Sequence, residues 1–310
     1  MTLLYMDDRF LQHETGQHPE CPARLKSIHA AITKSGLLEK VRQVPVRTAC
    51  DDDILRVHPA AHLEKLREFA AAGGGRIEAD TIMSAQSETI ARMACGTAVD
   101  AVERVIAGED TTAFCAVRPP GHHAVPDGAM GFCLLGNAAI AARTAIQRLG
   151  LNRVLIVDWD VHHGNGTQDV FYEDGQVGFF SAHRFPFYPG TGRKIETGRG
   201  AGLGTTFNLP LQFGTSRKDY LSAFEGMLTA AADHMKPELV ILSAGFDAHS
   251  DDPIGSLGLE TEDFETLTKL VQQVAATHAN DRLVSILEGG YNLQRLAECV
   301  ELHVKTLLPK

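Results

Sequence analysis

The 310-residue sequence has no apolar run long enough to cross a bilayer. It has no C-x-x-C pair among its six cysteines, no cluster of lysine and arginine, and no fixed-period repeat or low-complexity tract. Each absence removes a class of function. The missing apolar run argues against a membrane protein, and the early charges Asp7, Asp8 and Arg9 argue against an ordinary signal peptide. Scattered cysteines (21, 50, 95, 115, 133 and 299) point to reduced thiols and a cytoplasmic protein, not a disulfide scaffold. A formal net charge of −10 without a basic patch argues against direct nucleic-acid binding. What is present is a 44% hydrophobic composition, enough for a sizeable core, and fourteen histidines whose placement is informative.

Helical periodicity appears near 22–35, 59–72, 87–107, 136–149, 216–235, 261–279 and 292–308. Short β-rich runs lie at 112–117, 153–157, 177–182, 205–209, 239–243 and 283–287. Gly73-Gly74-Gly75 and the glycine-rich stretch 190–204 read as loops. Strands alternating with helices predict an α/β fold with a mostly parallel sheet covered on both faces. No linker interrupts the pattern, so a single domain over 1–310 is expected. Five of the strands release polar residues at their carboxyl ends: Arg118–His123, Asp158–Gly166, Ser181–His183, Ser243–Asp247 and Glu288–Tyr291. That edge of an open α/β sheet is where ligands bind, so the five segments predict one site.

The densest segment is D-W-D-V-H-H-G-N-G (158–166). In an extended chain Asp158, Asp160 and His162 face one way, while Trp159 and Val161 face the other, toward the core. Asp160 and His162 suit a divalent metal, with Asp247 at another strand end as third ligand. Two carboxylates and one imidazole leave a position open for water and substrate, as catalytic zinc requires. His122 and His123 are candidate acid/base groups beside such a metal. Asp158 and Asn165 are available to accept a proton from the outer nitrogen of one histidine each. An aspartate raises imidazole basicity more than an asparagine, so the two histidines need not share one pKa. Tyr291, after two glycines, is a candidate oxyanion donor or a packing residue.

The motifs R-P-P-G-H-H (118–123), G-F-C (131–133), P-G-T-G (189–192), S-A-G-F-D-A-H (243–249) and L-E-G-G-Y-N-L (287–293) join the 158–166 segment in a recognisable order. With H-P-E-C-P-A-R-L (18–25), the sequence resembles the zinc-dependent histone deacetylase family, in its class II-like, bacterial amidohydrolase form. Asn165 and Glu288 carry the class II-like character. The resemblance implies an arginase/deacetylase α/β fold with a parallel sheet of about eight strands. It implies one Zn²⁺ per chain at Asp160, His162 and Asp247, a donor set that also accepts Fe²⁺. It implies His123 as general base and acid, His122 with Asp158 as electrostatic support, and Tyr291 as oxyanion donor. Gly131, Phe132, Tyr188, Ile254 and Gly289 are expected in a tunnel for an acyl-lysine stem, with Arg24 behind the site. A structural monovalent cation, K⁺, is expected at Asp158, Asp160, His162, Ser181 and Ala182, and a second near Phe171, Asp174 and Val177.

The implied substrate is an acetylated lysine in a protein or peptide, and the alternative is an acetylpolyamine or other small acetylamine. Polyamine-specialised members of the family place an acid at the tunnel mouth. Ile254 stands at that position, although Asp80, Asp251 and Asp252 are near enough in sequence to compete for the role. A two-manganese ureohydrolase needs a second carboxylate set that is missing here, and a catalytically silent reader is disfavoured by Tyr291. His13 and His18 are expected to border the site. His58, His62, His278 and His303 read as ordinary surface or helix residues, and Asp51-Asp52-Asp53 as a helix N-terminus. No oligomeric state is specified, and a homo-oligomer remains open.

Overall fold

The computed structural model describes residues 1–309; Lys310, the last residue of the expected domain, lies outside them. In chain order the elements are β1 (Thr2–Tyr5), α1 (Ala23–Lys34), β2 (Val41–Gln43), α2 (Asp51–Ile54), α3 (Ala60–Ala71), β3 (Gly74–Glu78), β4 (Thr81–Ser84), α4 (Ser87–Ile106), β5 (Thr112–Cys115) and α5 (Asn137–Gln147). They continue with β6 (Val154–Asp158), α6 (Asn165–Phe171), β7 (Val177–Arg184), β8 (Thr206–Leu211), α7 (Arg217–Met235), β9 (Leu239–Ala244), α8 (Thr261–His278), β10 (Leu283–Leu287) and α9 (Leu293–Leu307).

Among the described residues, eight strands form one sheet in the order β2-β1-β5-β10-β9-β6-β7-β8, and every pairing is parallel. The central strands are buried on both faces, which explains their unbroken apolar runs. Every residue of β6 (VLIVD), β9 (LVILSA) and β10 (LVSIL) is buried. Helices α7, α8 and α9, with α1 against α9, cover one face; α4 and α5 cover the other. On α9 the buried positions Leu296, Cys299, Val300, His303, Val304 and Leu307 follow the helical repeat. The side chain of Asn292 caps that helix by accepting from Arg295 N at 3.1 Å.

The six β-rich runs correspond to β5 through β10. Two strands at one side of the sheet were not legible: β1 is only four residues long, though buried between β2 and β5, and the edge strand β2 has three residues, of which only Val41 is buried. The loop expected at 73–75 is corrected. Gly74 and Gly75 open β3, which pairs antiparallel with β4 in a separate hairpin. A Cβ on Gly74 would lie 2.3 Å from Met83 O, so only glycine permits this pairing. His62 and His303 are helix residues, as one of the two expected readings has it, but both are buried, and His58, outside any helix, is buried too, so the surface reading is corrected for all three. His303 donates from Nδ1 to Thr268 Oγ1 at 2.7 Å and accepts from Ser285 Oγ at 2.9 Å, which satisfies it as a neutral ring in the core. Asp51–Ile54 is a short helix, as its three aspartates predict. No helix among the described residues is long and apolar enough to cross a membrane.

The five strands with polar carboxyl ends are contiguous in the sheet: β5, β10, β9, β6 and β7. Their parallel direction places all five polar segments on one edge.

Candidate active site

Trp159 and Val161 are fully buried in the core, while Asp158, at the end of β6, and Asp160 and His162, in the bend that follows, are buried close to one another and to His122. Asp160, His162 and Asp247 each offer one ligand atom within 4.8 Å of the others. His162 Nδ1 lies 3.0 Å from Asp160 Oδ1 and 3.2 Å from Asp247 Oδ2. The remaining oxygens are held by backbone: Gly289 N donates to Asp160 Oδ2 at 2.8 Å, and Val161 N donates to Asp247 Oδ1 at 2.9 Å. Asp247 Oδ2 accepts no hydrogen bond among the described residues, although it is fully buried. A buried carboxylate oxygen in that condition is costly unless a cation meets it. Burial pushes Asp247 up to about 7, with the Asp160 charge adding to the effect. Burial opposes a charge on His162, but Asp160 and Asp247 outweigh it and raise the imidazole to about 9. Burial disfavours ionised Asp160 too, yet His122 and His162 hold it below the usual carboxylate range. Two carboxylates and an imidazole are thus drawn to one positive charge, and a divalent metal fits the donor set.

The histidine pair sits beside this cluster with ring centroids 3.9 Å apart. His122 Nδ1 donates to Asp158 Oδ2 at 3.0 Å, and His123 Nδ1 donates to Asn165 Oδ1 at 2.7 Å. Burial disfavours charge on both rings. For His122 the carboxylates of Asp160 and Asp158 reverse that and raise it to about 10. For His123 burial prevails, reinforced by His122 and His162, and its pKa falls well below the ordinary value. A neutral ring that donates through Nδ1 keeps its lone pair on Nε2. The surroundings thus favour a charged His122 and a neutral His123.

Tyr291 follows Gly289 and Gly290. A Cβ on Gly289 would lie 2.2 Å from Asp247 Oδ2 and 2.5 Å from Asp160 Oδ2, so the backbone itself packs on both carboxylates. Gly289, expected in the tunnel, is instead part of this metal-cluster wall. Gly290 has φ +118°, a conformation open to glycine. Arg24 is buried behind the loop, donating from Nε to Gly290 O at 2.7 Å and from Nη2 to Glu288 O at 2.5 Å, with its guanidinium 5.1 Å from the Tyr291 ring centre. Burial raises the Tyr291 phenol well above its ordinary value, so it stands as an O–H donor.

A cavity of about 230 Å³ opens onto these groups. His123, His162 and Tyr291 line it together with Gly131, Phe132, Tyr188 and Ile254, the last four as expected for the tunnel. Phe187 and Asp80 also line it. Phe187 escaped the sequence reading. It stacks on His162 at 5.2 Å between centroids and 15° between planes, and its position after a strand end gave no signal. Phe132 takes φ +70° and is held there by Thr81, whose hydroxyl accepts from Phe132 N at 3.1 Å, while Asp80 Oδ1 accepts from Gly131 N at 3.0 Å. His18 borders this wall, edge-on to Phe132 at 4.5 Å. His13 turns away from it, to Ser87 and Glu20.

Of the other acids expected near the mouth, Asp251 pairs with Arg295 and Asp252 turns inward. Asp158 and Ser181 are register partners on β6 and β7, which brings Asp158, Asp160, His162, Ser181 and Ala182 to adjacent strand ends. The Ser181 hydroxyl is engaged by His183 Nδ1 at 2.9 Å. Near the second expected cation site, the Asp174 carboxylate pairs with Arg143. Glu20 was also missed. It is completely buried and accepts from Arg118 at 2.5 and 2.7 Å and from Arg24 at 3.1 Å, underpinning the loop behind Tyr291.

The parallel sheet and its edge cluster describe an α/β metallohydrolase in outline. Comparison with known proteins makes the class specific: the histone deacetylase domain matches residues 18–307, and the chain belongs to the histone deacetylase family. It is 36% identical over 94% of its length to the histone deacetylase-like amidohydrolase of Pseudomonas aeruginosa, covering 82% of that protein. It is 38% identical over 99% of its length to the polyamine deacetylase HDAC10 of Homo sapiens, covering 48% of that protein. The crystal structure of the HDA15 HD domain superimposes with a TM-score of 0.94 at 36% identity, covering 100% of this chain and 91% of that one. The fold is the arginase/deacetylase fold anticipated from the motifs, and the chain is a deacetylase, a hydrolase of a zinc-dependent family.

Proposed function

We propose that the chain removes acetyl, or a related acyl group, from the ε-amino group of acyl-lysine in proteins or peptides. The observation that carries this reading is the orphaned Asp247 Oδ2. It faces His162 and Asp160, beside an apolar-walled cavity where His123 and Tyr291 meet. Asp160, His162 and Asp247 would hold one Zn²⁺. When bound, the ion supplies Lewis acidity that polarises an acyl carbonyl and makes water acidic near neutral pH.

The residues of the chain supply the rest. Phe132, Phe187, Tyr188 and Ile254 enclose the aliphatic lysine stem and exclude water. His123 Nε2 takes a proton from the attacking water as the new C–O bond forms. It returns that proton to the amine nitrogen as the C–N bond breaks. His122, held cationic by Asp160 and Asp158, favours the negative charge that develops. Tyr291 Oη donates to the oxyanion. The acid and amine so formed exchange a proton and leave as carboxylate and ammonium, and water is the one co-reactant consumed. A structural K⁺ belongs at Asp158, Asp160, His162, Ser181 and Ala182, where the strand ends meet. The free thiols fit a cytoplasmic setting.

A small acetylamine is the second reading, favoured by the Asp80 carboxylate among the cavity-lining residues. Ile254 in the same lining favours the lysine stem. The test is kcat/KM for an acetyl-lysine peptide against acetylputrescine. A higher value for the peptide is expected, and a large preference for acetylputrescine overturns the ranking.

A further inference from the structure

The loop that carries Tyr291 has a mechanical problem. Gly289 must be glycine because two carboxylates occupy the space of a side chain, and Gly290 takes a positive φ. Consecutive glycines confer freedom, yet an oxyanion donor works only when held in place. Arg24 restrains two carbonyls of the loop, at Glu288 and Gly290. The N–H groups after the glycines are restrained from the other side by Asp252.

Asp252 is 8% exposed, and its carboxylate accepts four backbone N–H groups. Oδ2 takes Tyr291 N at 2.7 Å and Asn292 N at 3.3 Å. Oδ1 takes Ile254 N and Gly255 N, each at 2.9 Å. One side chain thus joins the turn that places Ile254 in the cavity wall to the residue that would stabilise the transition state. The turn is itself anchored to the metal-ligand segment, where Ser256 N donates to Asp247 O at 2.7 Å. It is also held by Arg184, whose Nη1 donates to Gly255 O at 3.0 Å while its guanidinium stacks 4.1 Å from the centre of Phe187. Asp252 lies between a rigid frame and a glycine loop.

We infer that Asp252 is a positioning residue: its carboxylate fixes the Tyr291 hydroxyl opposite Asp160, His162 and Asp247 and couples it to the Ile254 wall. This rests on the deacetylase reading of the site. Asp252→Asn is nearly isosteric, but whichever way the amide turns, its NH₂ faces two N–H donors. One pair of tethers is lost and the tyrosine drifts.

The experiment compares the full chain, Asp252→Asn, Tyr291→Phe and the double variant, each with zinc supplied, on an acetyl-lysine peptide and on acetylputrescine. Metal content and circular dichroism are recorded for every variant. In Asp252→Asn we expect kcat to fall about 10- to 100-fold, the scale for a misplaced catalytic group, with KM and metal content little changed. In the Tyr291→Phe background the same substitution should cost less than about threefold, because the group it positions is already gone. An unchanged kcat in Asp252→Asn, or an equal fractional loss in both backgrounds, overturns the assignment. If Asp252→Asn does not fold, Asp252→Ser, which keeps one acceptor, takes its place. Failure of both to fold also overturns it, since the carboxylate then holds the fold at large. An unmodified chain without turnover on either substrate defeats this inference and the function together. An active unmodified chain with an unaffected Asp252→Asn defeats this inference alone.

Discussion

Asn165→Asp is the perturbation that isolates the histidine pair. The structure contains its own reference: His122 and His123 are adjacent, equally buried and differ in the group that meets Nδ1. The ring on aspartate is raised to about 10, and the ring on asparagine is held well below its ordinary value. A carboxylate in place of the Asn165 amide, with its oxygen 2.7 Å from His123 Nδ1, puts the charge centres roughly 4 Å apart. At an effective dielectric near 20 their attraction is about 4 kcal/mol, an upper bound of roughly three pH units on the change. Burying the new carboxylate reduces the effect, so a rise of roughly one to three units is expected. The sign follows from the role. His123 must be neutral to accept a proton, so a raised pKa moves the acid limb of the kcat/KM profile to higher pH. The rate lost at a given acidic pH is about tenfold for each unit the limb moves. The assay is the pH profile of kcat/KM on an acetyl-lysine peptide, with metal content measured in parallel. A limb that stays in place, or moves to lower pH, refutes His123 as the base.

Tyr291→Phe should lower kcat by about 10²- to 10³-fold with folding and metal content retained, the scale for losing one oxyanion donor; an unchanged rate removes Tyr291 from the chemistry. Gly289→Ala forces a methyl group to within 2.2 Å of Asp247 Oδ2, so zinc affinity should fall in a competition assay with a chelating dye; wild-type affinity would contradict the packing described. Glu20→Gln removes the charge that faces two buried guanidiniums and should cost about 3–5 kcal/mol, read as a lower urea midpoint. An unchanged midpoint would show that Arg24 and Arg118 do not depend on that carboxylate.

The parts of the site legible in the sequence are those whose geometry is local. Asp158, Asp160 and His162 were expected together from the period of two written in D-W-D-V-H, and they do meet, although the strand itself ends at Asp158 and the chain bends after it. Asp247 was legible as one more acid at a strand end. The sheet was legible where strands are buried on both faces, as in β6 and β9, and illegible where β2 buries one residue at an edge. Residues whose partners are remote in sequence could not be paired from the sequence. Glu20 lies 98 residues from Arg118, and Asp252 lies 39 residues from the N–H of Tyr291. Asp252 looked like a mouth acid because aspartates near a loop are usually solvated, and its inward turn appears only once the glycine loop is placed beside it. Gly289 was expected in the tunnel on the family resemblance alone. Its actual contact is with the two carboxylates behind.

Zinc stoichiometry by native mass spectrometry, on the unmodified chain and on Asp247→Ala, tests the central claim most directly. One ion on the unmodified chain, turnover that rises in proportion up to one equivalent, and no retained ion in the variant are the results expected. An unmodified chain that binds no zinc, or an Asp247→Ala chain that keeps its ion and its activity, would contradict the account.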